Sequence, residues 1–219
     1  MGGARRSERS RRERRRSERP VILVVVEGET EEGYFKYAKG RLRAQWLVVE
    51  KPSRNDPFNL VLAAKRRATQ LAKQGLAVRP WVVFDAEARQ DEEARGYGKA
   101  ITQAEKYGIG VANSSPCFEY WLLLHFVPGV QVDTPARAVS ELARPGRLEG
   151  YRKPELPYEA LWETLLSGVP SDAARARRAS YEDDGVDPRM GRPVTYVDEL
   201  MNEILRAAGI DVPGAARPA

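Results

Sequence analysis

The sequence predicts an α/β fold: a mostly parallel central sheet flanked by helices, with a helical extension at the C-terminal end. Two short hydrophobic runs and the pattern around them carry that expectation. Val21-Ile22-Leu23-Val24-Val25-Val26 is a run of six apolar, mainly β-branched residues. It is too short for a buried helix and reads as a strand covered on both faces, the habit of parallel sheets. Trp81-Val82-Val83-Phe84 is a second such run. Strand-like and helix-like segments alternate from the first run to Phe126, which is the signature of βα repeats.

Residues 1–19 are a low-complexity Arg, Ser and Glu segment, expected to be a disordered basic tail. Pro20 opens the first strand, a position where the missing N–H is tolerated. Gly28 allows a tight turn, and Thr30 is placed to cap a helix over 31–43, with Tyr34, Tyr37, Ala38 and Leu42 at helical spacing. Residues 46–50 read as a second strand and 51–57 as loop. A helix over 58–74 stops at Gly75. Residues 81–84 form the third strand. Residues 91–98 are polar and contain glycine, so they read as a loop or a frayed helix start before helix at 100–106. Residues 108–113 suit a short fourth strand. Ser114 or Ser115 as cap, with Pro116 in the first helical position, predicts a buried helix over 117–126.

The character then changes. Residues 128–170 are rich in Pro and Gly, with short helices expected at 136–143 and 158–166. A basic helix at 171–178 and an acidic loop at 181–193 follow. The last helix, 195–208, places Val197, Leu200, Met201, Ile204 and Leu205 on one face. The expected organisation is a basic tail (1–19), an α/β core (20–127) and a helical and loop extension packed on it (128–219).

Composition narrows the classes of function. The chain has 219 residues and a formal net charge of +5. Nine Arg and three Glu between Arg5 and Arg19 carry a net +6, which leaves the remainder at −1. The basicity therefore lies in the tail, and a nucleic-acid groove on the body must be local. One cysteine, Cys117, excludes an internal disulfide and suits a reducing, cytoplasmic setting. No apolar stretch approaches ~20 residues, so no membrane span is expected, and the N-terminus lacks the apolar segment of a secretory signal. One His and one Cys cannot supply a zinc site.

The two hydrophobic runs end on acids: Glu27-Gly28-Glu29-Thr30-Glu31 after the first and Asp85-Ala86-Glu87 after the second. Ligands of parallel α/β sheets sit just beyond the carboxyl ends of the strands. Glu27, Asp85 and Glu87 are expected to emerge there together, where their mutual repulsion calls for a cation, Mg²⁺ or Mn²⁺. Glu31 is a candidate for a supporting role, or simply a favourable charge at a helix N-terminus. Glu29 and Glu32 read as solvated. Glu119 lies in an apolar stretch, so it must point to the acidic cluster or pair with a buried Lys or Arg. His125 reads as a core residue, Cys117 as a small buried one, and Trp121, Phe118 and Phe126 as packing. Lys153 is either a phosphate contact or a surface lysine.

These motifs resemble two nested families. The acids after the strands resemble the Toprim fold of topoisomerases, primases and overcoming-lysogenization-defect nucleases. There a glutamate follows the first strand and an Asp-x-Asp pair a later one. Glu27-Gly28-Glu29-Thr30-Glu31 before Tyr34-Phe35 is similar to the narrower RloB-like family, as is the Asn113-to-Phe126 block Asn-Ser-Ser-Pro-Cys-Phe-Glu-Tyr-Trp-Leu-Leu-Leu-His-Phe. Tyr151-Arg152-Lys153 and Pro193-Val194-Thr195 are weaker echoes. One departure is that Asp85-x-Glu87 replaces two aspartates, which lengthens one ligand by a methylene.

The resemblance implies a Toprim-like sheet and a Mg²⁺- or Mn²⁺-dependent phosphodiesterase. Glu27, Asp85 and Glu87 would be the metal ligands. Glu27, Glu31 and Lys153 would serve catalysis, and Glu119 would stand behind the ligands. It also implies an antiphage-defence effector, found at restriction loci and encoded beside an ATPase, acting on DNA or RNA, transfer RNA included, and free to oligomerise. The competing expectation is a non-catalytic module that binds nucleic acid or the ATPase.

Overall fold

The computed structural model describes residues 19–86, 91–153, 156–181 and 192–211. The basic tail before Arg19, the acidic loop after Tyr181 and Glu87 lie outside the described residues. Within them the chain forms β1 (Val21–Val26), α1 (Glu29–Arg41), β2 (Leu47–Glu50), α2 (Pro57–Lys73), β3 (Val78–Val83), α3 (Asp91–Tyr107), β4 (Gly110–Val111), β5 (Ser114–Ser115), α4 (Phe118–Leu124), α5 (Pro135–Leu142), α6 (Tyr158–Leu166), α7 (Val169–Ala179), β6 (Val194–Thr195) and α8 (Val197–Ala208). The fold is α/β: a four-stranded parallel sheet in the order β2-β1-β3-β4, flanked by helices, with a C-terminal helical segment.

The strand order explains the layers. From β1 the chain moves outward to β2, then crosses back over β1 to reach β3 and continues to β4. Crossovers of one hand put connections that travel in opposite directions on opposite faces of the sheet. So α1 lies on one face while α2 and α3 lie on the other. β1 records this residue by residue. Ile22, Val24 and Val26 join a core with Tyr34, Phe35 and Ala38 of α1. Leu23 and Val25 join a second core with Leu60, Val61 and Ala64 of α2 and Ala100, Ile101 and Ala104 of α3. An unbroken apolar run is what a strand needs when both faces are covered.

The C-terminal segment shares the first of these cores. Leu161, Trp162 and Leu165 of α6, Ala174 of α7 and Val197, Leu200, Met201, Ile204 and Leu205 of α8 belong to the same cluster as Ile22 and Val24. Arg178 fastens α7 to α8 through a two-pronged pair with the buried Asp198 at 2.6 and 2.7 Å. It also donates to the Thr195 carbonyl.

Two local expectations are corrected and one is decided. Thr30 is not the helix cap: α1 starts two residues earlier than expected, with Gly28 in extended backbone as N-cap and Thr30 buried in the first turn. Residues 91–98, expected as loop or helix start, are helix: α3 begins at Asp91, and Tyr97 packs edge-on against Phe84. Ser114 and Ser115 do not cap α4. They form β5, paired antiparallel with Val194 and Thr195, with the two hydroxyls of Ser114 and Thr195 2.8 Å apart. That pairing joins residues about eighty positions apart and leaves no local signal.

Pro80 falls inside β3, a strand with neighbours on both sides. It is tolerated because β4 pairs only with Trp81 and Val82, so β3 is still an edge at Pro80. At the β4 contact Gly110 lies under the Trp81 indole, and a Cβ there would come within 2.5–2.7 Å of ring atoms. The ring is held in place by a 3.2 Å bond from its Nε1 to Glu203 of α8. Gly110→Ala is expected to destabilise the fold by about 2 kcal/mol through this overpacking. Urea unfolding measures it, and wild-type stability in the variant would mean that the indole is free to shift.

Candidate functional site

The connection leaving β1 turns one way and the connection leaving β3 turns the other, although the two strands are neighbours. This is the topological switch point, where a crevice opens outside the carboxyl ends of the strands. Val26 pairs with Val83, so Glu27 and Asp85 emerge side by side at that crevice. The Glu27 N–H donates to the Val83 carbonyl at 3.1 Å, and the Glu27 carboxylate accepts from the Asp85 N–H at 2.9 Å. Asn55, in the loop before α2, donates to the Glu27 carbonyl at 3.1 Å. Gly28 lets Glu31 fold back over the turn, since a Cβ at 28 would lie 2.5 Å from Glu31 Oε2.

The chain beyond β4 then passes the same end of the sheet. Asp85 and Ser114 form a parallel bridge, and the Ala86 N–H donates to the Ser114 carbonyl at 2.7 Å. This carries Cys117 and the first turn of α4 to the crevice, with Glu119 fully buried. Tyr151 donates to Glu119 Oε1 at 3.1 Å, and Lys153 Nζ lies 2.8 Å from the same oxygen. The other oxygen, Glu119 Oε2, is buried without a hydrogen-bond partner.

Among the described residues, four carboxylates and the Lys153 ammonium share this site, and their pKa values respond to burial and to one another. Burial raises the Glu31 pKa to about 7; its own backbone N–H opposes this, while the charges of Glu119 and Glu27 add to it. Burial, then the charges of Glu31, Glu119 and Glu27, push Asp85 well above the ordinary carboxylate range. Burial also raises the Cys117 thiol, with Glu119 and Asp85 adding to the effect, so it is no thiolate nucleophile. Burial pulls Lys153 down, but its bond to Glu119 and the acidic field leave it above the ordinary lysine value.

Of the residues singled out from sequence, Glu27, Glu31, Asp85, Glu119 and Lys153 meet here. Glu29 and Glu32 point away, to Lys51 and Lys36. His125 is in the core, edge-on to Trp121 and Tyr34. Tyr151, Thr30 and Asn55 were not singled out as site residues. Tyr151 lies beside Lys153 in the Tyr151-Arg152-Lys153 motif, whereas Asn55 falls in the 51–57 loop, which carries no local sign of a site.

The donor set suits a hard divalent cation, being all oxygen and anionic, with one buried oxygen unpartnered. Yet among the described residues no three His, Cys, Asp or Glu side chains are arranged to hold a metal ion as they stand. The chemistry fits, and enclosing an ion would require side chains to turn.

A family model described as RloB-like protein matches residues 22–204. The chain belongs to the RloB-like family. The match runs from the first strand of this RloB-like protein into its last helix. It takes in all four carboxylates together with Tyr151 and Lys153, so the sheet and the helical segment that complete the site belong to one family unit. No curated protein and no solved structure matches the chain. No helix among the described residues is long and apolar enough to cross a membrane.

Proposed function

We propose that this RloB-like protein is a divalent-cation-dependent nuclease, an effector of antiphage defence that works with an ATPase. The observation that carries the reading is the meeting of Glu27, Asp85, Glu31 and Glu119 at the switch point of a parallel sheet, with Lys153 among them. Glu27 and Asp85 would hold Mg²⁺ or Mn²⁺, with Glu87 as a further ligand. When bound, the ion supplies Lewis-acid polarisation of a phosphate oxygen and a more acidic water. The chain's own groups orient the reactants. The Asp85 N–H fixes the Glu27 carboxylate, Asn55 fixes the turn that carries it, and the Lys153 ammonium offers a donor to a phosphate oxygen. The crevice is anionic without the ion, so a polyanionic strand can enter only once the charge is offset.

The test is a cleavage assay on DNA, RNA and transfer RNA with added Mg²⁺ or Mn²⁺. Glu27→Ala and Asp85→Ala are each expected to lower the rate at least a hundredfold, roughly 3 kcal/mol of transition-state stabilisation. Cleavage that persists in both variants and in EDTA sinks the reading. A second reading, a non-catalytic binding module on the same fold, is favoured by one observation: among the described residues no three acids are arranged to hold a metal as they stand. It expects no cation affinity by calorimetry and a stable complex with the ATPase.

A further inference from the structure

The buried carboxylate of Glu119 is used unevenly. Tyr151 Oη and Lys153 Nζ both bind Oε1, at 3.1 and 2.8 Å, while Oε2 is buried and has no partner. A fully buried carboxylate with an idle oxygen is costly unless something else binds it. The carboxylates of Glu31 and Asp85 share the site with it. The Oε2 atom is thus an open acceptor on a carboxylate that Tyr151 and Lys153 engage through its other oxygen.

The ammonium itself is loosely placed. The Lys153 side chain is about half exposed (51%), while Glu119 is buried to 1%. Once another cation takes its place on Glu119, Lys153 can swing out on its four-carbon stem into water, whereas the buried Glu119 cannot follow it.

We propose that Lys153 is a resident counterion that competes with a divalent cation for the Glu119 carboxylate, so that Glu119 ligates the ion in the loaded site and Lys153 moves off it to face an anionic substrate. The inference rests on the cation reading above and deepens it. It accounts for two observations together: a buried Glu119 oxygen without a hydrogen-bond partner, and a lysine seated on the other oxygen of that carboxylate. The exchange changes the charge of the site. A monovalent group leaves and a divalent ion enters, so the four-carboxylate crevice gains one positive charge near the carboxylates and presents a second at its mouth.

The test is calorimetric titration of Mn²⁺ into the metal-free full chain, for wild type, Lys153→Met, Glu119→Gln and the double variant. Lys153→Met is expected to tighten Mn²⁺ binding roughly tenfold, because the ion no longer has to displace an ammonium. Glu119→Gln is expected to weaken binding, and in that background Lys153→Met is expected to add little. Lys153→Gln repeats the measurement with a polar stem, and unfolding curves check that each variant is folded. Equal affinity in wild type and Lys153→Met, or weaker binding in the latter, overturns the counterion proposal and leaves the cation reading standing. A tenfold gain that persists undiminished in the Glu119→Gln background also overturns it, since the effect would then be bulk charge and not competition for that carboxylate. No Mn²⁺ binding by wild type, Lys153→Met or Lys153→Gln overturns the cation reading and the proposal together. Binding by the lysine variants alone supports both.

Discussion

Glu31→Gln is expected to stabilise the metal-free protein relative to wild type by about 3 kcal/mol at pH 8, and by almost nothing from this source at pH 4. The folded-state pKa of Glu31 is raised from 4.5 to about 7, first by burial and then by the charges of Glu119 and Glu27. The folded protein thus binds the Glu31 proton more tightly than the unfolded chain does. Below pH 4.5 the group is protonated in both states and adds no penalty. As the pH rises from 4.5 through 7 the carboxylate ionises against its surroundings, and stability is lost. Glutamine removes the titration and keeps the shape. Urea unfolding of both proteins in metal-free buffer between pH 4 and 8 measures the widening gap. Parallel curves across that range would mean that Glu31 carries its charge without strain.

His125→Phe is expected to act over an overlapping range with the opposite slope. His125 is buried between Trp121 and Tyr34, and burial lowers its pKa from 6.5 to about 3, with the backbone of Leu161 opposing weakly. The stability tied to the neutral ring is fully present above pH 6.5 and is lost as the pH falls towards 3, because the unfolded chain takes up the proton first. The full span is about 5 kcal/mol, and about 3 kcal/mol of it is lost by pH 4.5. Phenylalanine keeps a ring against Trp121 and removes the proton uptake, so the variant is expected to outlast wild type in acid by that margin. Any cost of its extra volume is constant with pH and drops out of the comparison. Equal acid sensitivity of the two proteins would show that the ring is protonated in the fold.

The two effects bear on each other. Between pH 7 and 4.5 the acidic site gains stability as it takes up protons, while the core around His125 loses it. The Glu31 and His125 contributions nearly cancel over that range, each about 3 kcal/mol. Wild-type stability therefore carries slopes of opposite sign there, which the two single variants separate. Asp85, also held above its ordinary range, adds to the side that gains on acidification.

The strand carrying Glu27 was legible because its cause is local. Six apolar residues in a row can be buried on both faces only in the middle of a layered sheet, and β1 divides them between two cores as that requires. The placement of Glu27 and Asp85 followed from the same logic, since acids directly after two parallel strands come out at one edge whatever the loops do. Glu119 was legible only as a dilemma. An acid in an apolar helix must find either the cluster or a cation, and the structure gives it both: Lys153 at 2.8 Å and the charges of Glu31 and Asp85. The serines at 114 and 115 misled because their local pattern suits a helix cap, while their partners lie at 194 and 195.

By itself, then, the sequence determined the layered α/β architecture, the family likeness and the pair of acids at the strand ends, because each depends on residues a few positions apart. The tertiary structure decided which further groups complete the site. Thr30, Glu31, Glu119, Tyr151 and Lys153 come together only because the C-terminal segment shares a core with α1 and α4 and carries its loop to the crevice. Contacts across a hundred residues are selected by how whole layers pack, and no short stretch of chain encodes that choice.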